Sequence, residues 1–190
     1  TLHNYVDLFT DSNFLASVGR SIGMCIIPII VTIIIVLLAL FVTAIYFPKL
    51  EKYVQIICMI PYTIQGVILS VSILSLYVGS GSILSNRLVM LMGAYCIVIL
   101  PYIYQGIRNG MRAVNMPTLI EAAEMLGASK IYAFFRVVVP NILSAIIVSS
   151  LLAVGIIFGD YVLIRNLAGT SAPNMQIFLY QTMKSDSTKA

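Results

Sequence analysis

The sequence predicts an all-α, polytopic helical membrane protein, with residues 1–190 forming a single transmembrane domain. Of the 190 residues, 60% are hydrophobic and only 9% are charged, and the mean hydropathy is +1.01. Soluble domains carry about 25% charged residues, so this chain has too little polar surface for a water-exposed globule. Four apolar runs contain no Asp, Glu, Lys or Arg, and they are 21–47, 54–77, 88–107 and 137–158.

Each run has the length that a membrane-spanning helix needs, which is about 20 residues for about 30 Å of hydrocarbon. An unpaired charge at the bilayer centre is costly, so the absence of charge favours insertion. Prolines punctuate three of the runs, at Pro28, Pro61 and Pro101. Each proline removes a backbone donor and predicts either a simple kink or a hinge that lines a pathway, and the sequence leaves both open.

The segments between the runs predict a topology. The segment 48–53 is short and charged, and the segment 79–87 is rich in Gly and Ser. The segment 108–136 is long, polar and helix-prone. The side that holds 48–53 and 108–136 carries six Lys or Arg residues, and the other side carries five. The positive-inside rule therefore predicts that residues 108–136 are cytoplasmic and that both ends of the sequence face outward.

Composition also argues against several classes of protein. The net charge of +4 comes from scattered basic residues, which argues against nucleic-acid binding. Cys25, Cys58 and Cys96 lie inside apolar runs, where cysteine behaves as a small apolar side chain, and His3 is the only histidine. The sequence therefore predicts no metal site and no cofactor bound by this chain.

Residues 121–140, EAAEMLGASKIYAFFRVVVP, are a polar, helix-prone segment between two apolar runs. The pattern predicts a first helix with Asn115 as its cap and a break at Gly127, followed by a short helix over 130–135 that Ser129 caps. Two short helices with a glycine elbow form a rigid surface for another protein, or an amphipathic loop on the lipid headgroups. The residues expected on one side of the first helix are Leu119, Ala122, Ala123 and Leu126.

The spacing of this segment resembles a known motif. The sequence has Glu-Ala-Ala at 121–123, Gly127 after three more residues, and Val-Val-Val-Pro at 137–140 after nine more. This pattern is similar to the EAA motif in permease subunits of type I binding-protein-dependent ABC importers, which prefer Ile and Leu where Val137 and Val139 stand. The resemblance extends over most of the chain. That family usually has one helix before this core and one after it, so the sequence is expected to be part of a longer protein.

The resemblance implies a set of partners. These are ATP-binding cassette subunits, a second permease subunit that is identical or related, an external substrate-binding protein, and the lipid bilayer of a bacterial plasma (inner) membrane. The chain has no Walker A pattern, so ATP and Mg would be bound by the ATPase partner, and this chain would not be an enzyme. The residues that the resemblance assigns to ATPase coupling are Glu121, Ala122, Ala123, Glu124, Leu126, Gly127 and Ala128.

The end of the last run resembles that of permeases for polyamines (spermidine and putrescine), ferric iron and aminoethylphosphonate. Asp160 is the only acid expected at an outward membrane edge, where it would suit a cationic substrate or would simply cap a helix. Polar residues within the runs either line the pathway or bind neighbouring helices. They include Gln65, Tyr62, Ser72, Tyr95 and Tyr104.

Two other classes remain as alternatives. An ion-gradient-driven secondary transporter or channel usually needs acids within the membrane, and the four runs have none. An intramembrane enzyme needs a nucleophile with a nearby base, which Ser72, Ser75 and Tyr77 lack in the sequence. The importer permease is therefore the favoured interpretation.

Overall fold

The computed structural model describes residue 10 and residues 12–64, 66–79, 86–169 and 174–185. This part of the chain is helical and contains no strand. A 3₁₀ turn spans Pro48–Leu50, and a π-helical turn spans Phe134–Val138. The α-helices are α1 (Ser12–Ile45), α2 (Glu51–Thr63), α3 (Gly66–Tyr77), α4 (Arg87–Ala113), α5 (Met116–Met125), α6 (Lys130–Ala133), α7 (Val139–Asn141), α8 (Leu143–Phe158), α9 (Val162–Leu167) and α10 (Met175–Ser185).

Two of the described helices are long and apolar enough to cross a membrane alone, α1 with 34 residues and α4 with 27. Two broken pairs, α2 with α3 and α6–α7 with α8, each have the length and composition of one further span. A helix rises about 1.5 Å per residue, so α1 is about 51 Å long and exceeds the hydrocarbon thickness of about 30 Å. The chain is therefore a multi-pass helical membrane protein, which confirms the predicted fold class.

Both of these long helices extend beyond the apolar runs that predicted them. α1 begins at Ser12 rather than at residue 21, and α4 continues to Ala113 rather than ending at residue 107. The hydrogen bonds of a helix join backbone groups, so they form with apolar and with polar side chains alike. A helix can therefore continue past the end of an apolar run. Asn115, at φ 48°, marks the point after α4 where the backbone leaves the helical conformation.

The prolines do not end their helices. Pro28 and Pro101 lie inside the continuous helices α1 and α4, and Pro61 lies inside α2. The break in the run 54–77 comes after Thr63, and Gln65 lies outside the described residues. The interruption of this run therefore does not coincide with its proline.

The chain divides into two compact units, and each has its own packing. The first unit comprises Thr1–Pro28, Ile64–Cys96 and Gly155–Ala190, and the second comprises Ile29–Thr63 and Ile97–Val154.

In the first unit, hydrogen bonds attach the short helices α9 and α10 to the longer ones. Asn166 of α9 donates from Nδ2 to Ser70 Oγ of α3 at 2.8 Å. The backbone N–H of Met175, at the start of α10, donates to Ser21 Oγ of α1 at 3.0 Å. The side chains of Ile164 and Leu167 are buried beside these contacts, so α9 joins the core of this unit.

In the second unit, α4 and α8 cross at small residues. A methyl group on Gly106 would overlap the Cβ atom of Ser149, and a methyl group on Gly110 would lie 2.6 Å from the Cβ atom of Ala145. Small residues allow helices in a membrane to approach closely and gain van der Waals contact. The observed crossing of α4 and α8 therefore requires glycine at both positions.

Gly106→Val is expected to lower the thermal unfolding midpoint of the detergent-solubilised protein, because the branched side chain must displace α8. Overpacking of this kind costs about 1–3 kcal/mol. Gly93→Val in the same helix is the matched control, since a Cβ atom there would meet nothing within 4 Å. Equal midpoints for the two variants would contradict the requirement for close helix approach.

Candidate functional site

The segment with the EAA-like spacing begins with α5, and its start differs from the sequence prediction. Asn115 precedes the helix in a left-handed conformation, and its side chain makes no capping hydrogen bond. The prediction that Asn115 caps the helix is therefore wrong, because a side-chain cap needs an extended backbone at that residue. Pro117 occupies the first turn, where its missing N–H has no helical partner to lose.

The glycine elbow is present and is closed by two backbone hydrogen bonds. The N–H of Gly127 donates to the Glu124 carbonyl at 2.9 Å, and the N–H of Ala128 donates to the Ala123 carbonyl at 3.0 Å. This pair of bonds is a Schellman motif, which satisfies the last carbonyls of a helix. Gly127 has φ 84°, a conformation that strains any residue with a Cβ atom. The break predicted at Gly127 is thus confirmed.

The second short helix is capped as predicted. Ser129 Oγ accepts a hydrogen bond from the backbone N–H of Tyr132 at 3.3 Å, at the start of α6. Across the elbow, Lys130 Nζ lies 3.9 Å from Glu124 Oε1. The two helices are therefore linked by an ion pair as well as by the backbone of the turn.

The elbow exposes two large apolar side chains. Met125 is 88% exposed and Leu126 is 90% exposed, whereas Ala123 is buried. The residues expected to share one side of α5 are therefore divided, since Ala123 is buried whereas Leu126, which follows the last residue of the helix, is exposed. Glu121 and Ala122 are also exposed. Exposed apolar side chains of this kind mark a site that binds another protein or a membrane.

The segment is anchored after the elbow by an aromatic cluster. Phe134, in the π-helical turn after α6, is fully buried, and its ring centroid lies 4.9 Å from that of Phe41 in α1. The helix axis then bends by 64° near Ile142, where α8 begins. A displacement of the elbow would therefore reach both α1 and α8.

In the first unit, the fold brings together two of the residues assigned to the substrate pathway. Asp160, just after α8, accepts a hydrogen bond from the Tyr95 hydroxyl at 3.3 Å and one from the backbone N–H of Leu163 at 3.2 Å. Tyr95 is only 1% exposed. Burial raises the pKa of the Asp160 carboxyl, and the backbone N–H groups of Leu163 and Ile164 oppose this shift. Asp160 thus supports the start of α9.

Sequence analysis named four further residues as candidates for the pathway, and the structure describes three of them. Tyr62 is exposed on α2 and pairs with the Tyr102 ring at a centroid distance of 5.6 Å, within the second unit. Ser72 is exposed on α3, and Gln65 lies outside the described residues. Tyr104 is buried, and its hydroxyl has no hydrogen-bond partner within the described part of the chain.

Sequence analysis missed a charged cluster in the second unit. Glu51 Oε1, at the start of α2, lies 2.7 Å from Arg108 Nη2 and 3.6 Å from Arg112 Nη2, both in α4. The predicted topology had put these three residues on one side of the membrane. It could not pair them, because the pairing depends on how α2 packs against α4.

The fold and the site define a class: a multi-pass helical membrane protein that exposes an apolar elbow on a polar segment between two spans. Residues 50–186, more than half of the chain, match the model of the family described as "Binding-protein-dependent transport system inner membrane component". The chain therefore belongs to this family, and it is a permease subunit of an ABC importer. The family implies an ATPase and a binding protein as partners. No curated protein matches the chain.

Two substitutions of Asp160 are expected to show how much of its stabilising effect comes from its two hydrogen bonds and how much from its charge. Asp160→Ala removes the acceptor for Leu163 and Tyr95 and should destabilise the protein by about 0.5–2 kcal/mol. Asp160→Asn keeps an acceptor oxygen and should unfold near the wild-type temperature. Equal losses in both variants would contradict the capping role.

The stability of the wild type relative to Asp160→Asn should depend on pH. Because burial raises the folded-state pKa of Asp160 above its ordinary value of 3.8, the folded state binds the proton more tightly than the unfolded state. Stability from this group is therefore present at low pH and is lost as pH rises through the folded pKa. Thermal midpoints measured at about pH 7 and about pH 5 should shift in favour of the wild type on acidification. A shift in the opposite direction would contradict the effect of burial.

Proposed function

We propose that this permease subunit couples ATP hydrolysis by a partner ATP-binding cassette subunit to solute uptake, and that its elbow is the docking point. The observation that carries the proposal is the exposure of Met125 and Leu126, at 88% and 90%, on a turn fixed by two backbone hydrogen bonds. A groove on the ATPase would bury these side chains. Glu121 and Ala122, exposed on the same helix, would supply a polar contact and room for close approach.

The segment is suited to transmit a movement. The Schellman motif, the Ser129 cap and the ion pair between Glu124 and Lys130 limit bending at the elbow. The contact of Phe134 with Phe41 then connects the segment to α1. Closure of two ATPase subunits would pull on the elbow and displace these helices, which would turn the pathway from inward-facing to outward-facing.

Under this proposal, residues 108–136 lie in the cytoplasm of a bacterium and the chain spans its plasma (inner) membrane. A second permease subunit, identical or related, completes the translocation pathway, and an external binding protein delivers the substrate. ATP and Mg bind to the ATPase partner, so this chain performs no catalysis of its own. These assignments rest on the family and on the EAA-like spacing.

We infer that the substrate is a polyamine such as spermidine or putrescine, or a similar small solute such as aminoethylphosphonate or ferric iron. Support comes from Asp160, a half-buried acid just beyond the end of α8. A carboxylate in such a position attracts cations. Polyamines carry several ammonium groups, which makes them the favoured member of this set.

Leu126→Asp and Glu121→Lys are expected to prevent co-purification of the ATPase with the full-length protein in mild detergent. The first substitution places a charge in the apolar contact, and the second reverses the charge beside it. Loss of a central contact residue costs at least about 2 kcal/mol, which corresponds to more than about tenfold in affinity. ATP-dependent uptake should fall in parallel while the protein remains in the membrane.

Arg136→Glu is the matched control, because it reverses an exposed charge on the same segment but outside the proposed docking residues. It should retain the ATPase. Uptake of polyamines, ferric iron and aminoethylphosphonate would then be compared in the wild type to identify the substrate. Recovery of the ATPase with all three variants would contradict the docking site. Uptake that persists without ATP but stops when the ion gradient is collapsed would favour a gradient-driven transporter.

A further inference from the structure

A cavity of about 500 Å³ in the second unit lies where four helices meet. Its walls come from α1, the residues at the start of α2, the end of α4 and the first residues of α5. The volume lies within the range of small-molecule sites. The polar and sulfur-containing residues that line it include Glu51, Arg108, Met111, Arg112, Asn115 and Met116.

The charges around this cavity are unbalanced. Arg108 contacts Glu51 Oε1 through Nη2 at 2.7 Å and through Nε at 2.9 Å, and Arg112 Nη2 approaches the same oxygen at 3.6 Å. One carboxylate thus serves two guanidinium groups and leaves one positive charge uncompensated. The Arg108 side chain is 14% exposed and the Arg112 side chain is 62% exposed. Arg112 therefore retains N–H groups that are free to bind another acceptor.

The wall formed by α5 adds to the positive potential. The first turn of α5, at Met116 and Pro117, contains no acidic residue, and Asn115 gives it no side-chain cap. The N-terminal end of a helix carries a partial positive charge. The partial charge of this helix end would favour an anion in the cavity. The groups that would bind the anion directly are the two guanidinium groups.

We propose that this cavity is a binding site for a phosphate group. The exposed Arg112 would be the main contact, and the more buried Arg108 would add its positive charge. Guanidinium groups match the geometry of phosphate oxygens and form strong charge-assisted hydrogen bonds with them. The phosphate would come from the headgroup of an anionic phospholipid or from a free phosphate in solution. Basic pockets at the ends of membrane helices bind anionic headgroups by the same chemistry. The site does not depend on which solute the permease carries.

The test uses the purified full-length protein in two parallel measurements. In the first, native mass spectrometry counts the lipids retained from micelles that contain phosphatidylglycerol or phosphatidylcholine. In the second, the thermal midpoint is measured in micelles of a neutral detergent that contains no phosphate group, with inorganic phosphate or with chloride at equal ionic strength. Preferential retention of phosphatidylglycerol identifies a lipid headgroup, and stabilisation by inorganic phosphate identifies a free phosphate. Neither effect in the wild type would overturn the proposal.

Two variants with opposite expected effects test the residues. Arg112→Ala should weaken the preferred ligand by about tenfold, and it leaves the ion pair between Arg108 and Glu51 intact. Glu51→Gln should strengthen binding, because it removes the carboxylate that competes for both arginines. Arg136→Ala is the control, since this exposed arginine does not line the cavity. Equal binding by the Arg112 and Arg136 variants would show that the attraction is unspecific and would overturn the site.

Discussion

Hydrocarbon offers no hydrogen-bond partner, so a polar group within a membrane span is costly unless it finds one inside the protein. Most of the described serine and threonine hydroxyls in these helices do so locally, by donating to a carbonyl three or four residues earlier. Ser149 Oγ, for example, donates to the Ala145 carbonyl at 2.9 Å. Such bonds satisfy the side chain but do not select a neighbouring helix. Packing inside the spans is therefore specified by shape, above all where Gly106 meets Ser149. The same local bond is seen at Ser17, Thr43, Thr63, Ser75 and Ser150. Ser21 and Ser70 also make it, and in addition their oxygens accept a hydrogen bond from another helix.

In three long-range polar contacts, one partner lies at or near the end of a helix. Tyr95 with Asp160, Asn166 with Ser70, and Arg108 with Glu51 each join residues that are distant in sequence. Two of these contacts use charged groups that a membrane interior would not tolerate unpaired. Each compact unit is thus stabilised by apolar packing within the spans and by directional polar contacts at helix ends. This division explains how long apolar helices and short polar helices coexist in one chain of 190 residues.

Sequence reasoning succeeded where the determining physics is local. The charge-free runs indicated the membrane fold, Gly127 marked a left-handed turn, and Ser129 capped the next helix. It failed where the answer depends on packing or on the continuation of a helix through polar sequence. The extension of α4 to Ala113 and the division of the second run after Thr63 are of this kind. So is the contact of Tyr95 with Asp160, which are 65 residues apart.

The geometry of Asp160 bears directly on the proposed cationic substrate. Its carboxylate already accepts hydrogen bonds from Leu163 and Tyr95. An ionised carboxylate has two oxygens with about four lone-pair sites, so these bonds leave room for a further donor. A passing ammonium group would share the acid with Tyr95 rather than displace it, and would be held more weakly than by a free carboxylate. Weak, shared binding suits a transport pathway, because a solute that binds too tightly is released too slowly. A structural cap and a transient cation contact are therefore compatible roles for the same side chain.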